Sequence, residues 1–297
     1  MFSPKILGYT TGPVPVTSAF TSAFNMRGDD YGNSLQSFLD FLELDRRAMM
    51  DYDSDTRASL AETGMYLKYV PARTSSSDSS NDKDKGIILL TGGAYLFTSP
   101  PARDAFARWT THTYRDEATG VRFWDRPVFR DARRWTWDVV GAHHFAPPAR
   151  HALSRVQHFS YENDADADDE RAVGEALTTD LYPALLEAAR ERGAAAFWLL
   201  HAPDERLVAT HFVGERGEGE GLEAAVARLE ALPSLLAEEV RRRQQQQQKG
   251  LFPVKNTECT FDRTSLFVQN WLPVSRAAGG VPADTPNFPE MPQVTVE

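Results

Sequence analysis

The spacing of apolar and polar positions changes period several times along the chain, and each change predicts an element. Residues 152–161, A-L-S-R-V-Q-H-F-S-Y, alternate as a strand does. Val156, His158 and Ser160 then share one face, and Gln157, Phe159 and Tyr161 the other. Leu35, Phe38, Leu39 and Leu42 fall at helical spacing, with Met49 and Met50 near the end. Residues 65–70 read as a strand, and 86–112 as the clearest strand, turn and helix. There, 87–90 are continuously apolar, Gly92 and Gly93 predict a turn, and Tyr95 and Phe97 an aromatic exit. Ser99-Pro100-Pro101 is a helix start, since serine can accept an orphan N–H and proline has none to leave unpaired. Ala102, Ala105, Phe106 and Trp109 are that helix's apolar face.

Further strands are predicted at 121–129, 194–201, 207–213 and 264–272, with a short one within 5–16, and helices at 170–192 and 221–243. Pro183 and Pro233 interrupt these last two patterns and should kink or split them. The stretch 74–85 is polar and of low complexity, as expected of a mobile loop.

The order of elements repeats. It divides the chain into a first repeat over 1–130, an aromatic and histidine-rich connector over 131–151, a second repeat over 152–276 and an irregular tail over 277–297. Two successive βαββαβ units resemble the dimeric α+β barrel superfamily in a fused, tandem form. The local likeness is carried by Gly92-Gly93, Tyr95, Phe106 and Trp109, with His112 a turn further on. The resemblance implies an α+β fold of two tandem ferredoxin-like repeats forming a pseudo-dimeric barrel, with a pocket between sheet and helices. Relatives of that kind include cofactor-free monooxygenases, EthD-like proteins, polyketide cyclases and dehydratases, and haem enzymes. The fold therefore implies a pocket and leaves the reaction open.

Composition narrows this. The formal net charge of −10 argues against nucleic acid and anionic membranes as partners. No apolar run approaches a bilayer span, and the N-terminal stretch lacks a signal-peptide core. The single cysteine, Cys259, points to a reducing, cytoplasmic setting, and a monomer or homodimer is expected. No phosphate-cradling glycine loop and no G-x-S-x-G is present, so nucleotide binding and serine hydrolysis lack support.

The seven histidines carry the candidate chemistry, because imidazole can act as acid or base near neutral pH. His158, in mid-strand, His211, among aromatics, and His144, in the connector, are the expected catalytic residues. For His158 and His211 a structural histidine is the rival reading, and for the connector with His144 it is a segment that packs the two repeats together. A turn pairing His201 with Leu207 would put Phe197 opposite His211, and would put His201, Phe197, Leu199, Ala209 and His211 on one face. His201, beside the turn, should be solvated. Trp135, Trp137, Tyr95, Phe97, Trp124, Phe197 and Tyr161 are the expected substrate-binding aromatics. The pair His143-His144 makes a weak metal site, because adjacent side chains point apart on a strand.

With six tryptophans and 17 phenylalanines, the chain can line a large apolar pocket. The expected function is a cofactor-independent tailoring enzyme of secondary metabolism. It would act on a hydrophobic polyketide or terpenoid intermediate by cyclisation (pericyclic chemistry included), dehydration or related proton transfer. The alternatives are a haem-dependent dehydratase or peroxidase, a cofactor-free monooxygenase, and a non-enzymatic small-molecule binding or stress-related protein. No metal is expected, and haem is the alternative cofactor.

Overall fold

The structure, a computed structural model, describes residues 11–25, 58–71, 86–113, 115, 120–125, 130–146, 152–163, 170–245 and 254–269. The predicted helix at 35–50, the loop at 74–85 and the tail at 277–297 lie outside them. The elements are β1 (Gly12–Pro13), β2 (Ser18–Asn25), β3 (Leu60–Pro71), β4 (Gly86–Phe97) and α1 (Pro100–Arg108). Then come β5 (Arg130–His144), β6 (Leu153–Asn163), α2 (Glu170–Ala176), α3 (Tyr182–Glu191), β7 (Ala194–Ala202) and β8 (Leu207–Gly214). The last are α4 (Leu222–Ala231), α5 (Leu235–Gln245) and β9 (Val254–Gln269). The chain is thus a mixed α/β protein whose strands pair antiparallel wherever the register is defined.

The described residues form two compact units, one of 20–136 with 268–269, the other of 11–19 with 137–267. In the first, the strands lie in the order β5–β2–β4–β3. Helix α1 begins at the predicted prolines, but Ser99 makes no side-chain cap bond, and only its carbonyl is engaged, by Arg103 N–H. Phe106 of α1 packs on Phe20, Tyr95 and Phe97 at ring-centroid distances of 5.6, 4.7 and 5.5 Å. Gly92 and Gly93 are not a turn, because β4 runs through them without a break. Their value is close approach. A Cβ on Gly92 would sit 2.1 Å from the Ser22 carbonyl oxygen of β2, and Gly93 N–H donates to Ser22 Oγ at 3.1 Å.

The expected strand at 121–129 is a short 3₁₀ turn, Phe123–Asp125, with Arg122 in an isolated bridge to Arg115; residues 126–129 lie outside those described. The strand falls instead on residues expected as a connector. Arg130–His144 is a 15-residue strand, because Trp135, Trp137, Val139 and Val140 favour a pleated, half-buried backbone.

In the second unit the sheet runs β9–β6–β8–β7–β5, with β1 on the far edge of β5. β6, α2–α3, β7, β8, α4–α5 and β9 follow one another as βαββαβ, and the order β9–β6–β8–β7 is consistent with the ferredoxin-like α+β class. Both prolines act as predicted. A π turn, Leu177–Leu181, separates α2 from α3 just before Pro183, and the chain turns extended at Leu232, before Pro233, to part α4 from α5.

One face of this sheet carries the helices. Phe159, Tyr161, Phe197, Leu199, Val208 and Phe212 meet Leu177, Leu181, Leu185, Leu229 and Leu236 there in an aliphatic core. Each such side chain contributes roughly 1.5–3 kcal/mol on burial. Gly141 admits the ring of Tyr182, which would lie 2.3 Å from any Cβ at that position. Polar groups on this face are tied into the architecture. Arg155 grips Asp262 with Nε and Nη2 at 2.9 and 2.6 Å and donates Nη1 to Leu229 O at 3.0 Å, joining the Leu232 N–H on that carbonyl at the end of α4.

Candidate functional site

Alternation along β6 directs Leu153, Arg155, Gln157, Phe159 and Tyr161 toward the helices, which leaves Ser154, Val156, His158 and Ser160 on the opposite, helix-free face. Cross-strand partners share a face, so register carries the assignment across the sheet. His144 lies opposite Ala196, Ala196 opposite Val213, and Val213 opposite Ser154. In the next row are Ala142, Trp198, His211, Val156 and Arg263, and beyond it Leu200, Ala209, His158 and Phe261.

The three nominated histidines therefore share the helix-free face, one in each successive row. All are buried, with 2% of His144, 2% of His158 and 1% of His211 exposed. His158 should have faced the helices if the pocket lay between sheet and helices, and it faces away from them. The site is displaced to the other side of the sheet.

This face is concave. Trp137 of β5 lies edge-on to His158 of β6 with ring centroids 4.9 Å apart. β7 and β8 separate those strands, which would place them about 14 Å apart in a flat sheet. Only pronounced curling brings the rings together. Phe261 closes on His158 from β9 at 4.8 Å. His211 is edge-on to Trp198 at 4.0 Å and to Phe267 at 4.9 Å. Burial pushes the His211 imidazole down to about 3, so at neutral pH it is an uncharged ring offering one N–H and one lone pair.

The nominated aromatics divide. Trp137 joins the histidines. Phe197 lies in the helix-side core, stacked on Tyr182 at 6.4 Å, and Tyr161 is in the same core. The cause is register. The turn at Pro203–Glu205 continues through Arg206 in the left-handed conformation (φ 51°, ψ 47°), which pairs Ala202 with Leu207 and His201 with Val208. That is one residue from the expected pairing, and a one-residue slip moves every side chain of one strand to the other face relative to its partner. Trp198, not Phe197, is thus opposite His211. His201 is buried rather than solvated. Its Nε2 lies 2.7 Å from Tyr161 Oη, and burial holds its pKa below the usual imidazole range while the Asp138 carboxylate opposes the shift.

Tyr95, Phe97, Trp124 and Trp135 belong to the first unit. Tyr95 and Phe97 are core against Phe106, Trp124 packs edge-on to Phe24 at 6.0 Å, and Trp135 is half-buried on β5. They stand outside the helix-free face of the second unit. His143 is half-buried beside Phe145 while His144 is buried, so the adjacent pair does point apart.

Trp198, Phe261, Phe267 and Ser154 are the residues that sequence reasoning missed. The signal for Phe261 and Phe267 was the alternation over 261–267, in which Phe261, Arg263, Ser265 and Phe267 share one face and Asp262 lies on the other. Cys259 is exposed, and its thiol is raised by partial burial and by the Asp262 carboxylate, which disfavours a thiolate.

Among the described residues, no group of three or more His, Cys, Asp or Glu side chains is placed to hold a metal ion, and no helix is long and apolar enough to cross a membrane. Haem, which the resemblance allows, needs an axial imidazole turned toward an open slot. His158 and His211 are each flanked by two aromatic rings at 4.0–4.9 Å, which does not fit that role.

No family model matches the chain, and no curated protein does. Several solved structures are similar to it. One is a proposed monooxygenase from Lactobacillus acidophilus NCFM, with 9% identity, covering 86% of this chain and 94% of that one, at a TM-score of 0.42. Another is a proposed monooxygenase from Fusobacterium nucleatum subsp. nucleatum, with 9% identity, 85% and 94% coverage, and a TM-score of 0.43. A third is a mutant chlorite dismutase from Candidatus Nitrospira defluvii, with 11% identity, 89% and 94% coverage, and a TM-score of 0.40.

Proposed function

We propose that this chain is a cofactor-independent enzyme that holds a hydrophobic small molecule against the helix-free face of its second unit and moves a proton on it. The observation that supports this is convergence. Three histidines, far apart in sequence, share one curled face with Trp137, Trp198, Phe261 and Phe267, and all three are buried. Buried imidazoles among aromatic walls suit acid–base work on an apolar substrate, where water is excluded and a reactive conformer can be held.

In this reading His158 is the base or hydrogen-bond partner, oriented by Trp137 and Phe261. His211, kept neutral, serves as an uncharged donor or acceptor, and His144 flanks the same face one row beyond it. Cyclisation or dehydration of a polyketide or terpenoid intermediate is the chemistry such a face can perform. The shared strand order of the two units supports the tandem, pseudo-dimeric form of the α+β barrel, in a cytoplasmic protein acting as monomer or homodimer.

The test is incubation of the protein with a panel of poly-β-ketone and polyene substrates, read by mass spectrometry. Dehydration removes one water, and cyclisation gives an isomer of equal mass and new retention. At least one of His158→Ala, His144→Ala and His211→Ala should abolish turnover while ligand binding persists. Retention of full turnover by all three would remove the histidines from the mechanism. Ligand binding without turnover of any substrate would favour a carrier that uses the same face.

A further inference from the structure

The polar groups on the two faces of the second unit's sheet are treated differently. On the helix side, Arg155, Gln157 and Tyr161 all have partners within hydrogen-bond distance. On the helix-free side, Trp198 is fully buried and its Nε1–H meets no acceptor among the described residues. Ser154, also fully buried, has an Oγ with no partner there either. An indole nitrogen can only donate, and burying a donor without an acceptor costs about 1–3 kcal/mol. A folded chain rarely leaves such a group unexplained. A phenylalanine at Trp198 would supply an aromatic ring without that cost. Ser154 is one row from Trp198 on the same face, and the His211 ring lies edge-on to the indole at 4.0 Å.

We infer that this face is built for a ligand bearing a neutral carbonyl oxygen on an apolar, ring-containing body, and that the Trp198 indole N–H donates to that oxygen. The inference rests on the reading of the face as a small-molecule surface and specifies which molecules it takes. The rings of Trp137, Phe261 and Phe267 supply the apolar contact. The donor is an uncharged N–H beside an uncharged imidazole, which suits a ketone, aldehyde, ester or amide oxygen better than an anion. Ser154 can contribute a second hydroxyl donor to the same ligand. Trp198 is thus a binding residue that fixes orientation, and the carbonyl is the group whose neighbouring protons His158 and His211 would be placed to move.

The probes are 2-acetylnaphthalene and 2-ethylnaphthalene, nearly equal in shape and differing in the carbonyl. Calorimetry on the full chain should show the ketone binding about tenfold tighter than the hydrocarbon, the worth of one buried hydrogen bond. Trp198→Phe should erase that preference, so that ketone and hydrocarbon bind the variant with equal affinity. A second measurement needs only the variant's spectrum for assignment. The indole N–H resonance lost in Trp198→Phe should move downfield in the wild-type chain on adding the ketone, and stay in place with the hydrocarbon. Equal affinities for the two probes, or an unmoved indole resonance, would overturn this inference and leave the apolar-binding reading standing. Failure of both probes to bind would overturn that reading, and this inference with it.

Discussion

The two faces of the second unit's sheet are built from different chemistry by the same strands. The helix side is rich in aliphatic residues, with Leu177, Leu181, Leu185, Leu199, Val208, Leu229 and Leu236 buried beside Phe159, Phe197 and Phe212, and its Arg155, Gln157 and Tyr161 are hydrogen-bonded while Thr264 Oγ1 is not. The helix-free side sets imidazole, indole, phenyl and hydroxyl groups, with the Arg263 guanidinium over Phe261, among small aliphatic residues. His144, His158, His211 and Trp198 are as buried as the leucines across the sheet, so exclusion of water does not distinguish the two faces. Leucine and valine are what a face needs in order to fold. Three buried histidines and an indole N–H without an acceptor are what a face carries when stability is not its only task. The comparison therefore predicts that the helix side sets stability and the other side sets binding.

The largest expected effect is on the helix side. Phe197 is fully buried in the core and stacks on Tyr182. Phe197→Ala should cost about 3–5 kcal/mol in urea unfolding. If it costs under 1 kcal/mol, the helix side is not the stability-determining face and the contrast fails.

A medium effect comes from His211, and its sign is fixed by linkage. Its folded pKa, about 3, lies below the unfolded value near 6.5, so the unfolded chain binds the extra proton first. The contribution of the neutral ring to stability is fully present above about pH 6.5. It is lost as pH falls toward 3, at no more than about 1.4 kcal/mol per pH unit. Carboxylates titrate over the same range, so the measurement is the difference between wild type and His211→Phe. The variant should lose about 2–3 kcal/mol less than wild type on going from pH 7 to pH 4.5. Parallel pH curves for the two proteins would show that His211 is not held neutral by burial.

Much of this contrast was legible in the sequence, and its failures have local causes. The βαββαβ order of the second half, both proline breaks and the alternation that separates His158 from Phe159 could all be read from spacing. The connector could not. In residues 130–144 the apolar positions are aromatic and flanked by Arg133, Arg134, Asp138 and two histidines, so the strand period is hidden among groups that look like linker or lid. A bulge between Val139 and Gly141 also resets the alternation midway, letting Val140 join the aliphatic core while His144 returns to the helix-free face. The hairpin error had a single source, the left-handed Arg206. It closes a turn of four residues, Pro203 to Arg206, one fewer than expected, which leaves Ala202 in the strand, and arginine gives no sign of it as glycine or asparagine would. That one residue exchanged Phe197 for Trp198 at the site and put His201 beside Tyr161 instead of water.

The smallest expected effect is the most discriminating. Ser154 Oγ is fully buried on the helix-free face and has no partner there among the described residues. Ser154→Ala removes a hydroxyl already desolvated without compensation and adds no cavity larger than the lost oxygen. It should leave stability unchanged within about 0.5 kcal/mol, or raise it slightly. The same substitution should weaken the ketone probe more than the hydrocarbon probe, because a second donor to the carbonyl is lost while the apolar walls remain. A stability loss above about 1 kcal/mol would mean that Ser154 is bonded into the fold as firmly as Arg155 is. The hydroxyl would then belong to the architecture, and the distinction between a face that folds and a face that binds would rest on the histidines and Trp198 alone.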